Sequence, residues 1–574
     1  MVDLTKKPFY LNEEQLAWVE ETLASMTLEE KIGQLFICMN YDHRPEAYEK
    51  IIKKYHVGGI RWQGGSLKDQ YDQNKYYMEN SRIPILIAAN LEGGTERTLH
   101  GGTLIAPGPA MGASGPEVVR VMADQAAKEA LSVGTNWTFA PLTDVSFNWR
   151  NTIINNRAFG LTDPDEIIAD SVAYVETMQK NNIASCAKHF PGDGVDERDH
   201  HLVLGCNDLS IEEWEETFGK VYRAVIEAGC ETFMIGHICM PAWQKKLNPA
   251  LTDEEIMPAT LSKELVTGVL REHLGFNGLI TTDASHMAGL STSAPRSVQV
   301  PGTIAAGCDM FLFFNDPDED FQYMMDGYKN GVITEERLSD ALHRILGLKA
   351  KLNLHHYEFP SEEGLKVVGS EASHEAAAYC ADKSVTLVKD TQHLLPLDPA
   401  KRPRAALYYI ETAPVSLLNG PDKSKQIVIE ELERAGFTVD AHEDYYEMEC
   451  KGMSPMNAFR IMETPPVEEF KKKYDVVFMF VHMKGYAQEN NVRLKWSAAH
   501  SNELPWFVHE VPTIGVSLNY TNHLYDLPML KTFVNAYAPT REYIRAAIEK
   551  ITGKSEFQGK ANDLVWCGRW DTRR

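Results

Sequence analysis

The sequence predicts an α/β protein: a (β/α)8 TIM-like barrel followed by a smaller α/β sandwich domain. Two observations carry this. Apolar β-like runs alternate with helical stretches over about 340 residues, a pattern that demands a parallel sheet. Polar and ionisable residues also gather where those runs end: Asn90 and Glu92, Asp144, Lys188 and His189, His237, Asp283 and Asp309. A barrel gathers its active site at the C-terminal ends of its strands. A doubly wound sheet binds ligands there too, but repeated polar endings on successive strands favour a barrel, because all of them then face one mouth.

Residues 13–36, EEQLAWVEETLASMTLEEKIGQLF, have helical period, with TLEE as a capping box. The β-like runs that follow are HVGGIRW, IPILIAANLEGG, TNWTFAPLTDV, IASCAKHFPG, CETFMIGHICMP, FNGLITTDASHM and AGCDMFLFF, with helical segments between them. Within 211–228, Trp214, Phe218, Val221 and Val225 share one face of a helix. The barrel is expected over 1–355 and a linker over 356–375. A second domain over 376–574 is expected from SVTLVKD, RAALYYIE, YDVVFMFVHM and VPTIGVSLNY.

At 574 residues the chain exceeds what one compact core holds. Its 44% hydrophobic and 10% aromatic content is that of a globular protein. A net charge of -24 argues against nucleic acid and anionic membrane as partners. The N-terminus shows no signal-peptide pattern and no apolar run has spanning length, so a cytoplasmic location is expected. The nine Cys show no metal-ligand spacing; Cys38, Cys230, Cys239 and Cys308 read as buried free thiols.

The stretch HFPGDGVDERDHHLVL, from His189 to Leu204, sets Asp199, His200 and His201 at the end of a Gly-rich loop. It is either a proton-transfer unit or an ordinary polar loop. Asp283 follows GLIT and precedes a Ser/His/Met turn, as a helix N-cap or as an exposed carboxylate at a strand end.

The motifs resemble those of glycoside hydrolase family 3, in its β-N-acetylglucosaminidase branch. MTLEEKIGQL, VGGI, NLEGGTER, NWTFAPLTDV, NNRAFGLTDP, KHFPGDGVDERDHH, MIGHI, PATLS, GLITTDASHM and AAGCDMFL occur in that order across the barrel region. The resemblance makes Asp283 the nucleophile that forms a glycosyl-enzyme ester. It makes His201, in a mobile loop, the proton carrier, with Asp199 two residues earlier as its partner. An imidazole with an ordinary pKa of about 6.5 donates a proton near neutrality without deep burial, and an Asp beside it fixes tautomer and orientation. The Gly and Pro of FPGDG let such a loop swing.

By the same resemblance Lys188, His189, Arg157 and His237 donate to sugar hydroxyls. Arg157 has the alternative of an ion pair with a barrel carboxylate. Asp144 either orients Arg157 or Lys188, or satisfies a buried cluster. Asn90 departs from the family, which usually carries Asp before EGG, and Arg61 and Trp62 stand where aliphatic residues are usual. Asn beside Arg tolerates an anionic group at carbon 6 of the sugar; the alternative is a rim salt bridge and a neutral swap.

The function implied is retaining exo-β-N-acetylglucosaminidase action on short amino-sugar glycosides, cell-wall muropeptide fragments among them. The alternatives are a β-glycoside phosphorylase, a β-glycosidase for another hexose and a non-catalytic carbohydrate-binding protein. No metal or organic cofactor is implied. The partner is a small carbohydrate, and the chain is expected as a monomer or homodimer. His355 and His356 read as solvated linker, Arg493 of ENNVRLKW as a surface loop, and NGPDKSKQ as a turn that lacks the order of a phosphate cradle.

Overall fold

The computed structural model describes all residues except 1, 41, 43, 63–64, 412–414, 417–419, 422, 444–463, 484–491, 495, 497–499 and 501–502. The chain divides into two compact units. The first comprises residues 1–105 and 115–374, the second 106–114 and 375–574.

The first unit is the barrel. Its strands are β1 (Phe36–Asn40), β2 (Gly59–Trp62), β3 (Leu86–Ala89), β4 (Trp137–Thr138), β5 (Cys186–Phe190), β7 (Thr232–Ile235), β9 (Leu279–Ala284) and β10 (Met310–Leu312). A separate small pair is formed by β6 (Gly205–Cys206) and β8 (Ile238–Cys239). The eight-stranded sheet runs β4-β3-β2-β1-β10-β9-β7-β5, and each of its ladders is parallel. Parallel bridges from Trp137 to Ala184 and from Leu142 to Lys188 link the two ends of the sheet and nearly close the ring. β3 and β7 are buried along their whole length, as strands covered on both faces must be.

Phe36, the first residue of β1, falls inside the stretch 13–36 that reads as helix, and the rest of the strand carries no expectation. The structure breaks that stretch at Met26: one helix spans Glu13–Ser25, a second Leu28–Gly33, and Phe36 already opens β1. The capping box at Thr27 and Glu30 is present and starts the second helix. The helical period carried past Gly33 because Leu35 and Phe36 are apolar on either reading. The helix expected near 165–181 spans Pro164–Lys180, capped by Asp163. Trp214, Phe218, Val221 and Val225 are all fully buried, although one wide turn, Glu215–Gly219, interrupts their helix.

Asp309 does not face the mouth. It precedes β10, and its carboxylate accepts from the Ile280 amide at the start of β9, at the N-terminal end of the barrel. There it pairs with Arg271 and Arg337. Residues 356–374 pack on the barrel: Phe359 stacks edge-on to Tyr71, and Ser373 donates to the buried Glu129.

The second unit holds a six-stranded sheet. Its strands are β11 (Thr386–Asp390), β12 (Arg404–Glu411), β15 (Thr438–Ala441), β16 (Val476–His482), β17 (Thr513–Ser517) and β18 (Thr532–Asn535), in the order β11-β18-β17-β16-β12-β15. Only β11 runs antiparallel to its neighbour. A two-stranded pair, β13 (Val415–Ser416) and β14 (Gly420–Pro421), stands apart. The helix Gly108–Ser114 belongs to this unit, where the Ala113 carbonyl accepts from the Lys560 amide at 2.9 Å. Arg493 is paired with Asp526. Among the described residues no helix is long and apolar enough to cross a membrane.

Replacing Asp309 by Ala strands the buried Arg271 guanidinium, so unfolding free energy should fall by roughly 3–5 kcal/mol in denaturant titration. Activity per folded molecule should hold, because Asp309 sits at the far end of the barrel. A fall in kcat/KM at unchanged stability would contradict that placement.

Candidate active site

Strand ends bring the charged residues of the mouth together, and two buried carboxylates organise them. Glu92, two residues past Asn90 at the end of β3, takes Arg157 on both oxygens, Nη2 to Oε1 at 2.6 Å and Nε to Oε2 at 3.0 Å. The same Oε1 accepts from Lys188 Nζ at 2.8 Å. Burial alone would raise the pKa of Glu92, but Arg157 and Lys188 outweigh it and hold the group well below the usual carboxylate range. Arg157 is therefore in an ion pair with a barrel carboxylate, and so is Lys188; both keep further N–H groups to donate. Glu92 is the organising residue that sequence reasoning left without a role. Its signal was present, a carboxylate at a strand end between two cationic motifs.

Asp144 orients neither Arg157 nor Lys188. Its Oδ2 contacts His189 Nδ1 at 2.8 Å, and its Oδ1 accepts from the amides of His189 (3.0 Å) and Asp193 (2.9 Å). Burial pushes Asp144 up to about 7, and burial also holds His189 well below the usual imidazole range. The bond to Asp144 turns His189 Nε2 toward Asp283, 3.9 Å from Oδ2.

Asp283 ends β9 with its side chain 13% exposed, and its Oδ1 accepts from the Ala284 amide at 2.7 Å. Burial opposes its charge. As they take up protons in acid, the imidazoles of His189, His200, His237 and His201 more than offset this, so the carboxylate titrates below its ordinary range. The rings of His189 and His201 each lie 5.4 Å from that of His200, edge to face. Asp283 with His189 and His200 also offers three metal-ligating atoms within 4.8 Å of one another, as Glu14, His355 and His356 do elsewhere.

His201 Nδ1 lies 2.7 Å from Asp199 Oδ1, which also accepts the His201 amide at 2.8 Å. Asp199 is fully buried while the His201 side chain is 19% exposed, so the imidazole is held on one edge and open on the other. His200 is buried and accepts the His237 amide on Nδ1 at 3.3 Å. That leaves the proton on Nε2, which points toward Asp193 Oδ2 at 3.6 Å. His237 differs from its expected role. Its Nε2 donates to the Ala284 carbonyl at 3.0 Å and its Nδ1 meets Thr260 Oγ1 at 3.0 Å, so both nitrogens are spent on protein atoms. It braces the turn that carries Asp283.

The loop's glycines serve close approach and not swing. Gly192, at φ +122°, leaves no room for a Cβ beside Phe218, and Gly194, at φ +110°, none beside the Val145 carbonyl. Trp214 Nε1 to the Pro191 carbonyl (2.7 Å) and Asn151 to Asp193 (2.8 Å) tie the same half down. The exposed part is farther on, where Leu202 and Val203 face solvent.

Asn90 is half-buried after β3, with its carbonyl accepting from Thr98 Oγ1 at 3.2 Å. Arg61, in β2, reaches Met39 Sδ at 3.7 Å. It is also near enough to His286 to help lower that imidazole's pKa, after the larger effect of burial. Arg61 is the third of the four residues of β2, toward the C-terminal end of that strand.

The family model described as glycosyl hydrolase family 3 N terminal domain matches residues 27–348. A β-N-acetylglucosaminidase/β-glucosidase of Cellulomonas fimi is 38% identical over 574 residues, the full length of both chains. A solved structure of the β-glucoside phosphorylase BglX bound to 2FGlc is 36% identical, with a TM-score of 0.88, covering 97% of this chain and 98% of that one. A β-N-acetylglucosaminidase of this family from Paenibacillus sp. shares the fold at 23% identity, with a TM-score of 0.79 over 93% and 98% of the two chains.

Glu92→Ala should cost roughly 3–5 kcal/mol, because it leaves two buried cations without their shared partner. The folded pKa of Glu92 is depressed, so its contribution is complete above the unfolded carboxylate pKa of about 4.3 and is lost as pH falls further. The gap between wild type and variant in thermal unfolding should thus be full at pH 7 and narrow in acid. A gap that widens on acidification would contradict the charge pairing.

Proposed function

The chain belongs to glycoside hydrolase family 3, and on that footing we propose that it is a retaining, exo-acting β-glycosidase that releases terminal N-acetylglucosamine and glucose. The observation that carries this reading is the convergence, on one buried carboxylate at a strand end, of a row of imidazoles whose outermost member is open on one edge. Asp283 stays ionised in that setting and attacks the anomeric carbon from one face of the ring. A protonated His201 donates from Nε2 to the departing oxygen while Asp199 stabilises the imidazolium. Bond making to Asp283 and bond breaking to the leaving group yield a glycosyl ester. In the second step neutral His201 takes a proton from water, and hydroxide equivalent at the anomeric carbon frees Asp283. Lys188, Arg157 and His189 hold the sugar through N–H groups or lone pairs that Glu92 and Asp144 have already oriented. No metal or organic cofactor enters this reading.

A second reading is transfer to inorganic phosphate instead of water. It draws support from the full-length likeness to a β-glucoside phosphorylase. It also fits an acid/base group that is neutral when the glycosyl ester waits for its acceptor, since a carboxylate there would repel phosphate. Turnover of the trapped ester in buffers with and without phosphate separates water from phosphate as acceptor.

Asp283→Asn should abolish turnover, and a 2-fluoro glycoside should label a peptide containing Asp283; a label elsewhere would overturn the assignment. His201→Ala should slow glycosides with sugar leaving groups by about 10²–10⁴ and activated aryl glycosides far less. An equal loss on both would remove His201 from the acid role.

Asn90 and Arg61 bear on carbons 4 and 6 of the sugar. One charged hydrogen bond is worth roughly 1.5–3 kcal/mol, about tenfold to a hundredfold in specificity. Asn90→Asp should therefore raise kcat/KM for plain N-acetylglucosaminides and lower it for 6-sulfated or 6-phosphorylated ones, whereas Arg61→Ala should lower only the latter. If neither change alters the ratio, both residues are neutral to specificity.

A further inference from the structure

Cys206 and Cys239 are placed opposite each other in the register of β6 and β8. The Gly205 amide donates to the His237 carbonyl at 3.2 Å and the Asn207 amide to the Cys239 carbonyl at 2.9 Å, so the two strands flank the cysteines with ladder bonds on both sides. Directly paired neighbours on adjacent strands lie about 4.8 Å apart, within the Cα separation of about 4.4–6.8 Å that a disulfide spans. The Cys239 thiol donates to the Gly205 carbonyl at 3.4 Å, and the neighbouring Cys206, followed by Arg198, lowers its pKa. Cys206 is partly exposed, whereas Cys239 and the other free cysteines among the described residues, Cys38, Cys186, Cys230, Cys308, Cys380 and Cys567, are buried.

We propose that Cys206 and Cys239 are a site of reversible oxidation, closing to a disulfide under a hydroperoxide and reopening under a dithiol. Cys239 gives its proton to solvent and the thiolate attacks a peroxide oxygen; the O–O bond breaks, a sulfenic acid forms on Cys239, and the second oxygen leaves as hydroxide or alkoxide that takes a proton back from solvent. Cys206 sulfur then attacks the sulfenic sulfur, the S–O bond breaks, and the Cys206 proton leaves with the hydroxyl as water. Two thiols lose two electrons and one peroxide gains them.

The position gives the bond a consequence. Pro191–Gly194, at the start of the loop, is pinned by Trp214, Asn151 and the two glycine contacts. The far part, with Asp199 and His201, ends in β6, so a covalent tie from β6 to β8 fixes the end that is otherwise held by ladder bonds. This part rests on the reading of His201 as proton carrier. Oxidation then slows glycosides with sugar leaving groups about tenfold and activated aryl glycosides by less than about twofold.

The test uses the full chain, treated with hydrogen peroxide, alkylated and digested. The expected product is a peptide pair joined through Cys206 and Cys239, two hydrogens lighter than the free thiols, absent from Cys206→Ser and cleaved by dithiothreitol. Sulfinic acid on either cysteine without the cross-link, or pairing of either with another cysteine, overturns the proposal. The selective loss of rate should appear in oxidised wild type, vanish on reduction and be missing in Cys206→Ser. An equal loss in that variant overturns the coupling to the loop. A reduced enzyme inactive on every glycoside would instead sink the glycosidase reading, and the cross-linked peptide would still decide the thiol site.

Discussion

Two cationic side chains lie buried at the barrel mouth because Glu92 sits between them. Without it, Lys188 and Arg157 would each bear a desolvation cost of several kcal/mol with nothing in return. The constraint then propagates along the chain. Lys188 is next to His189, whose amide and ring both bind Asp144. The Asp144 Oδ1 that takes the His189 amide also takes the amide of Asp193, which anchors the loop that leads to His201. One carboxylate therefore sets a strand end, that strand end sets a second carboxylate, and the second sets the root of the loop.

Each of three histidines faces an Asp other than Asp283, and the three contacts are not equivalent. Asp144–His189 and Asp199–His201 are short, at 2.8 and 2.7 Å, while Asp193–His200 stands at 3.6 Å. His189 and His200 are sealed, and burial keeps both largely uncharged. His201 alone of the three opens to solvent. A group that must gain and lose a proton each turnover needs a path to water, and a group that must only aim a nitrogen at a sugar does not. On the proposed reading the division of labour follows from exposure more than from residue type.

Much of this was legible in the sequence because barrel chemistry is tied to strand ends. Asp283, Lys188 and His189 stand near the C-terminal ends of β9 and β5, and the D-x-H pair lies on the loop that leads on from β5. The failures have particular causes. β1 went unread because its first residue closes a stretch of helical period and five residues are too few to display alternation. Asp309 also borders a β run, but at its start, and polarity alone does not say which end of a strand it marks. His237 looked available because sequence shows a ring and not its partners; Thr260 and the Ala284 carbonyl, distant along the chain, occupy both nitrogens. The pairing of Glu92 with Arg157 joins residues 65 apart, and no local pattern encodes it. The glycines of FPGDG have the opposite use from the one composition suggests, because crowding by Phe218 and Val145 is a tertiary fact.

The helix Gly108–Ser114 is counted with the second unit although the barrel's sequence surrounds it on both sides. The backbone thus passes from one unit to the other three times, after residues 105, 114 and 374. A gene cut at the last crossing would not yield a self-contained barrel, since the excised piece would carry seven residues whose packing partners had been left behind. The two units are modular in their cores but not in their coding order.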